Sequence, residues 1–481
     1  MNLNHDACYS AIQVRDARYD GRFFTAVKTT RIYCRPVCPA RTPLSKNVTF
    51  FSTAAAAQEA GFHPCLRCRP ETAPELGPGH ELPAGVARAL QRIELGALDE
   101  AGVDVLAQRL GIGERQLRRQ FRQHLGASPV AFAQTRRVLL AKQLIHETQL
   151  PMAEIAFAAG FGSIRRFNEV FLDLFGRAPG ELRRSGKPEV PAGRDGEIKL
   201  LLRYRPPYDW QAMLAFLRVR AIPGVESVTG DTYARTISLD GAQGTVTVRP
   251  GAGDALHVTV RFPRLQSLPA IIARLRRVFD LASDPTAIAA QFAADPVMTG
   301  LMQARPGLRV PGAWDGFELA IRAVLGQQIT VAAAIRLAGK LVAAHGAPLT
   351  QPDGALTHVF PEPATVAAAE LASLGMPRSR AATLSAVAAA AVADPHLFDA
   401  AVDLEDAVRR LRTIRGVGEW TAQYIALRQL REPDAFPHAD IGLIRALEKL
   451  ESRPYTPAQL LARSEAWRPW RAYAAQHLWT A

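Results

Sequence analysis

"LRTIRGVGEWTAQYIAL", Leu411 to Leu427, reads as a helix, a tight turn and a second helix. Gly416 and Gly418 allow the backbone to turn sharply and to expose its amides. Those amides stand at the N-terminus of the following helix, a place that favours an anion such as a DNA phosphate. A lone G-x-G more often marks a plain turn, so the neighbourhood decides. Close downstream, "FPHADIGLIRAL" (Phe436–Leu447) sets Asp440 just before a helix beginning at Ile441. An aspartate there reads as a helix cap or as a fixed anion beside a reacting centre, and the residues alone favour the cap.

Outward from this stretch the chain changes texture. "IKLLLRYRPPYDW", "YARTISL", "GTVTVRP" and "ALHVTVRF" alternate in the manner of strands, with the helical "WQAMLAFLRVRAI" among them. Further on the chain is Ala- and Leu-rich and helical, with proline and glycine stops. The hairpin, the Asp440 segment, "RPGLRVPGAWDGFELAIRAVLGQQIT" and the final "WRPWRAYAAQHLW" together resemble the helix-hairpin-helix DNA glycosylases, in particular the 3-methyladenine glycosylase II branch. The resemblance implies that Asp440 is the catalytic carboxylate and that Trp420, Tyr424 and Trp479 line the base pocket. Electron-rich rings suit a cationic alkylated base and stack a flipped nucleotide. Gly416, Gly418, Gln327 and Gln328 are the expected DNA contacts of this half. Gln328 stands at the position of the wedge that fills the gap left by the flipped base, and either it or its neighbour Ile329 serves as the wedge. Trp420 occupies the place of the Schiff-base lysine of lyase-type members, so base excision without strand cleavage is expected. The resemblance also allows a monovalent cation at the hairpin. With no cysteine cluster in this half, no iron–sulfur cluster is expected.

The chain has five cysteines, and two close pairs of them form a C-x3-C-x26-C-x2-C pattern: Cys34 and Cys38, then Cys65 and Cys68. Such pairs suit one tetrahedral Zn2+, and the spacing alone leaves open whether the metal is structural or reactive. "FFTAVKTTRIYCRPVCPARTPLSKNVTFF" and "AAAAQEAGFHPCLRCRP" resemble the Ada-type metal-binding domain. That likeness implies that Cys34 is both a ligand and a nucleophile taking methyl from a DNA methyl-phosphotriester. It also implies DNA-backbone contacts at Thr30 and Arg41. Losing one negative charge on methylation would lower repulsion by DNA and tighten binding.

Between the halves, "VLAQRLGIGERQLRRQFRQHLGASP" (Val105–Pro129) is echoed by "EIAFAAGFGSIRRFNEVFLDLFGRAP" (Glu154–Pro179). Each copy is a short helix, a glycine turn and a second helix carrying arginines, the helix-turn-helix pattern. The block resembles the AraC-type DNA-binding domain, which implies that Gln116, Arg119, Arg165 and Arg166 contact DNA. An amphipathic stretch, "FAQTRRVLLAKQLIHE", bridges the copies. Pro70–Gly85 and Arg184–Gly196 read as linkers.

The expected fold is therefore multidomain and mainly α with α+β parts. A small zinc α+β domain spans 1–75, an all-α tandem helix-turn-helix 83–186, a small antiparallel α+β domain 195–305 and an all-α helix-hairpin-helix glycosylase domain 306–481. A formal charge of +13 fits a polyanionic partner. Double-stranded DNA, alkylated and promoter, is the expected partner, with RNA polymerase a candidate for an activator. No apolar run approaches the roughly 20 residues needed to span a bilayer, so no membrane is expected and the location is cytoplasmic, on the nucleoid when bound to DNA. The sequence ends without the Pro-Cys-His motif of O6-methylguanine repair, which is not expected. The rival is a DNA-binding transcriptional regulator whose glycosylase half only recognises damage and whose zinc is structural.

Overall fold

The computed structural model describes residues 4–74, 82–184, 197–399 and 403–481. The chain divides into two compact units, 1–205 with 264–273, and 206–263 with 274–481.

In the first unit, β1 (Phe24–Val27), β2 (Ile32–Cys34), β3 (Val48–Phe51) and β4 (His63–Pro64) form a sheet of order β3-β1-β2-β4. β2 and β4 run parallel, with Tyr33 opposite Pro64, so the next residues of each strand, Cys34 and Cys65, come out side by side. The helix Ala54–Glu59, capped by the Thr53 side chain, buries Ala55, Ala56 and Ala57. Phe24, Ala26, Tyr33, Ala57 and Phe62 make the small core.

Both repeats fold as read. The helices Val103–Arg109 and Glu114–Leu125 form the first pair, Met152–Ala158 and Ile164–Phe175 the second. Gly111 and Gly160 take φ of 69° and 89° at the ends of the short helices, a region where a side chain is strained. Leu117, Phe121 and Leu125 are buried on one second helix, Phe167, Val170 and Phe171 on the other. The bridging helix, Pro129–Glu147, departs from a simple amphipathic reading because Lys142, Gln143 and Glu147 are buried with Val138 and Leu144. The zinc domain covers what the sequence pattern presents as a polar face. The first expected linker is likewise shorter than read: Pro70–Thr72 is a buried 3-10 turn and the helix Ala84–Glu94 starts before Gly85. Glu71 is held there by Lys142, which turns a Pro/Gly-rich stretch into part of the core. Residues 75–81 of that linker and 185–196 of the second lie outside the described residues. β5 (Glu197–Arg203) completes this unit, with the Leu201 N–H donating to Glu147 at 3.0 Å.

In the second unit, β6 (Glu226–Thr229), β7 (Thr232–Leu239), β8 (Ala242–Pro250) and β9 (Ala255–Arg261) pair antiparallel in sequence order. Helices pack around Gly316–Leu325, which is buried along almost its whole length. A two-stranded hairpin, Pro348–Asp353 with Leu356–His358, interrupts the otherwise helical remainder, a feature the Ala/Leu-rich texture hides. The helix Leu404–Arg412 buries Leu404, Ala407, Val408 and Leu411, then the chain turns through Gly416 and Gly418 into Glu419–Ile425. Gly416 has φ of 86°, and a Cβ there would lie 2.0 Å from Thr383 Oγ1, so glycine is required twice over. Gly418 has extended backbone and nothing within 4 Å of a built Cβ. Its smallness leaves open space at the helix start rather than satisfying a strained turn.

Candidate functional site

The four cysteines converge. Their sulfurs lie within 4.8 Å of one another, Cys65 and Cys68 buried, Cys34 and Cys38 half-buried. Tetrahedral zinc with bonds near 2.3 Å needs sulfurs about 3.8 Å apart, so the donor set fits a single Zn2+. The fifth cysteine, Cys8, packs with Ala11, Ile12 and Phe23 and takes no part. The thiolates are not equivalent. The Arg35 N–H donates to Cys68 Sγ and the Arg67 N–H to Cys65 Sγ, both at 3.3 Å. Cys38 accepts from the Ala40 backbone. Cys34, like Cys38, is half-buried and keeps a partly open face. Thr30 and Arg41 are exposed.

Behind the cluster runs a chain of buried charge. Lys142 Nζ donates to the Cys65 carbonyl at 2.9 Å and to Glu71 at 2.7 Å, and both side chains are fully enclosed. Arg69 joins Glu71 to Glu147, at 3.0 and 3.1 Å. Burial pushes the Glu71 carboxyl up, but Lys142 and Arg69 hold it below the usual glutamate range. Lys142 lies inside the bridging helix between the repeats, and nothing in its spacing marks it as a link to the cysteines. Gln116, Arg119, Arg165 and Arg166 are exposed on the second helices of the two repeats, with Arg165 held to Glu169 at 2.9 Å.

The second centre assembles at the hairpin. Asp440 caps the helix Ile441–Glu451, its Oδ1 accepting the Gly442 and Leu443 N–H groups at 2.9 and 3.1 Å. The same oxygen accepts Trp479 Nε1 at 3.0 Å, and Oδ2 accepts Trp420 Nε1 at 2.8 Å. The cap and the fixed-anion readings thus describe one carboxylate. Oδ1 is saturated, while among the described residues Oδ2 accepts from Trp420 alone, and Asp440 lines a cleft of about 1250 Å³. Trp420 stacks on Tyr424 with centroids 5.3 Å apart at 11°, and Tyr424 meets Trp479 edge-on at 6.3 Å. All three expected pocket residues therefore stand together beside Asp440.

The two adjacent glutamines expected at the DNA differ in setting. Gln327 turns inward: its amide donates to the Gly416 carbonyl at 3.1 Å and to Thr421 at 3.0 Å, bracing the hairpin. Gln328 is exposed, with left-handed backbone at φ 58°, which projects it from the surface. Its neighbour Ile329 packs against the core. The sequence reading missed two arginines. Arg428 is buried with its guanidinium 5.1 Å from the Tyr424 ring centre, 5.2 Å from Trp479 and 4.4 Å from Phe216. Arg220 lies 3.9 Å from Phe216 and lines the same cleft. Burial alone would raise the Tyr424 phenol, yet Arg428 and Arg220 draw it below the ordinary tyrosine value. Burial in turn lowers Arg428 to about 10. Arg428 lies one turn beyond Tyr424 on the same helical run, a spacing that signals a shared face.

Comparison with known proteins agrees with this division. Residues 7–71 match the metal binding domain of Ada, 106–185 a helix-turn-helix domain, 199–315 the AlkA N-terminal domain and 321–472 the HhH-GPD superfamily of base excision DNA repair proteins. A Mycobacterium tuberculosis protein named probable bifunctional transcriptional activator/DNA repair enzyme AlkA is 41% identical over all of this chain and 97% of its own. DNA-3-methyladenine glycosylase 2 of Escherichia coli is 37% identical over 58% of this chain and 95% of its own. The Escherichia coli bifunctional transcriptional activator/DNA repair enzyme Ada is 30% identical over 38% of this chain and 51% of its own. The solved 3-methyladenine DNA-glycosylase from Archaeoglobus fulgidus shares the fold, with a TM-score of 0.53 at 21% identity over 58% of this chain and 97% of that one. Among the described residues no helix is long and apolar enough to cross a membrane.

Proposed function

Because the chain belongs to the family of bifunctional transcriptional activator/DNA repair enzymes that join an Ada-type metal domain and an AraC-type helix-turn-helix block to an AlkA-type glycosylase, we propose that it senses methylated DNA phosphates and excises 3-methyladenine and related alkylated bases. The supporting observation is the Asp440 carboxylate, oriented by two indole N–H groups at 2.8 and 3.0 Å on the edge of an aromatic cleft. A flipped base enters against Trp420, Tyr424 and Trp479, which offset an unstacking cost of a few kcal/mol. As the bond from the sugar to the base breaks, both electrons leave with the base and positive charge grows on the sugar. Asp440 faces that charge without needing to reorganise. Water adds to the sugar carbon, and Asp440 orients it or takes its proton. Trp420 offers no amine for a Schiff base, so the product is an abasic site with the strand intact.

In the metal domain, zinc when bound keeps the four thiols deprotonated at neutral pH. Cys34 sulfur attacks the methyl carbon of a phosphotriester; the S–C bond forms, the C–O bond breaks and an ordinary phosphodiester leaves. The cluster loses one negative charge, and the exposed Gln116, Arg119, Arg165 and Arg166 then bind promoter DNA with less opposition. Thr30 and Arg41 hold the damaged strand. In the glycosylase part, Gln328 fills the gap in the duplex, Gly418 admits the backbone, and Gln327 acts by holding Gly416 in place. The domains follow 1–75, 83–186, 195–305 and 306–481. A monovalent cation at the hairpin, RNA polymerase as the activator's partner and a place in the cytoplasm on the nucleoid belong to the same reading.

Base release from duplex containing 3-methyladenine tests the enzyme. Asp440→Asn is expected to lower the rate by at least about 100-fold, the scale of losing one preorganised charge partner, with DNA binding kept. Excision at the wild-type rate by that variant rejects the assignment. Mass spectrometry after exposure to methyl-phosphotriester DNA tests the sensor: one added methyl on Cys34 is expected, and none in Cys34→Ser.

A further inference from the structure

The cleft carries charge of both signs. Asp440 accepts both indole N–H groups, Arg428 lies 5.1 Å from the Tyr424 ring centre and 5.2 Å from that of Trp479, and Arg220 lines the same cleft over Phe216. Other guanidiniums line the cleft, but they are neutralised: Arg322 pairs with Glu226 and Glu318, Arg235 with Glu318. Arg428 instead donates to the Pro311 carbonyl at 2.9 Å and to Gln476 at 3.3 Å, and Arg220 to the Phe216 carbonyl at 3.3 Å. Among the described residues neither meets a carboxylate. Two positive charges without a carboxylate partner thus line the cleft beside the Tyr424 phenol, one buried and one half-buried.

Sites described as cation-binding aromatic boxes ordinarily exclude fixed cations, since a guanidinium already occupying the ring faces competes for them. Here the placement matches a different need. Cleavage moves an electron pair from the sugar–base bond onto the base. An uncharged base leaves as an anion, and a cationic alkylated base leaves neutral. In both cases the base end gains negative charge while the sugar end gains positive charge. A carboxylate facing the sugar with guanidiniums facing the base would form a field aligned with that transfer.

We propose that Arg220 and Arg428 form the electron-pair-accepting end of the cleft and set its preference between base charges. The inference rests on the glycosylase reading of the same site. For a cationic base the arginines oppose ground-state binding and favour departure, effects that offset each other in kcat/KM. For an uncharged base they favour departure alone. Arg220 therefore matters most for bases that leave as anions, and as a half-buried residue just beyond the helix Trp210–Arg218 it is the tractable one to change.

The experiment measures kcat/KM for release of 3-methyladenine and of hypoxanthine, an uncharged purine, from otherwise identical duplexes. Arg220→Gln is expected to lower hypoxanthine release by about tenfold or more, the worth of one charged hydrogen-bonding partner, while 3-methyladenine release stays within about threefold. Arg220→Lys keeps the charge and is expected to restore most of the hypoxanthine rate; thermal melting of each variant checks that the fold is intact. An equal fall on both substrates, no change on either, no rescue by lysine, or no hypoxanthine release by the wild type overturns the inference. If the wild type fails to release 3-methyladenine, the glycosylase reading itself falls; if it releases 3-methyladenine and the ratio does not move, only the role of the arginines is lost.

Discussion

The cysteine cluster is fastened to its surroundings by buried charge, whereas Asp440 is fastened by neutral donors. Behind Cys65 stand Lys142, Glu71, Arg69 and Glu147, an ion network closed off from water. Around Asp440 stand two indoles and two backbone amides, none of them charged. The difference suits the roles proposed for the two anions. On that proposal a thiolate accepting one methyl changes the charge of its domain, and the ion network joins its surroundings to the helix between the repeats. A carboxylate proposed to act repeatedly beside a sugar works with its charge left unneutralised, and a salt-bridge partner would weaken it.

Cutting the wiring gives the largest expected effect. Lys142→Met leaves Glu71 ionised, buried and without its closest cation, which costs about 3–5 kcal/mol. In a unit of this size the corresponding calorimetric transition falls by about 10 °C, while base release at 25 °C is unchanged. A parallel loss of excision would show that the two centres share support and would break the contrast. The sign of the pH dependence follows from Glu71: its folded value is depressed by Lys142 and Arg69 against burial. Its stabilisation is therefore complete above the ordinary glutamate value of 4.5 and is lost as pH falls below it. Lys142→Met leaves Arg69 as the cation beside Glu71 and is expected to reduce that acid sensitivity in the first unit.

Within the second centre, Trp420→Phe keeps the stacked ring on Tyr424 and deletes the 2.8 Å bond to Oδ2. A hydrogen bond to a charged group contributes about 1.5–3 kcal/mol. Since the base still stacks, KM is expected to hold while kcat falls about tenfold or more. A rise in KM with kcat unchanged would mean that the indole serves the base and not the carboxylate.

What could be read from the sequence tracks what is local. Two cysteine pairs, a G-V-G turn and an aspartate before a helix are short-range patterns, and each folds as its spacing dictates. The parallel pairing of β2 with β4 that joins Cys34 to Cys65 spans some thirty residues, yet the pairs themselves announce the metal site. Lys142 could not be read because a lysine in a helix is ordinarily a solvated side chain; only the burying surface of the zinc domain makes it internal. Arg220 and Arg428 come from segments about two hundred residues apart and meet over Phe216. Gln327 and Gln328 are adjacent in sequence yet differ in setting, because left-handed backbone at Gln328 separates a side chain bonded to the hairpin from an exposed one.

The finest test of how Asp440 is held lies at Gly442. A Cβ built there comes within 2.9 Å of Asp440 Oδ1 and 3.4 Å of Trp479 Cδ1. The Asp440 oxygen must give way, because the Gly442 N–H that it accepts is part of the same turn. Nothing about the backbone demands glycine at this place in the first turn of a helix, and alanine there ordinarily stabilises by about 0.5–1 kcal/mol. Gly442→Ala is therefore expected to leave the melting temperature unchanged or slightly raised while lowering kcat a few-fold, on the order of 1 kcal/mol in the barrier, with KM steady. Opposite signs for stability and rate would mean that glycine is present to let the carboxylate sit where it does. If rate and stability rise together, the carboxylate tolerates displacement, and the aromatic rings rather than the position of Asp440 govern excision.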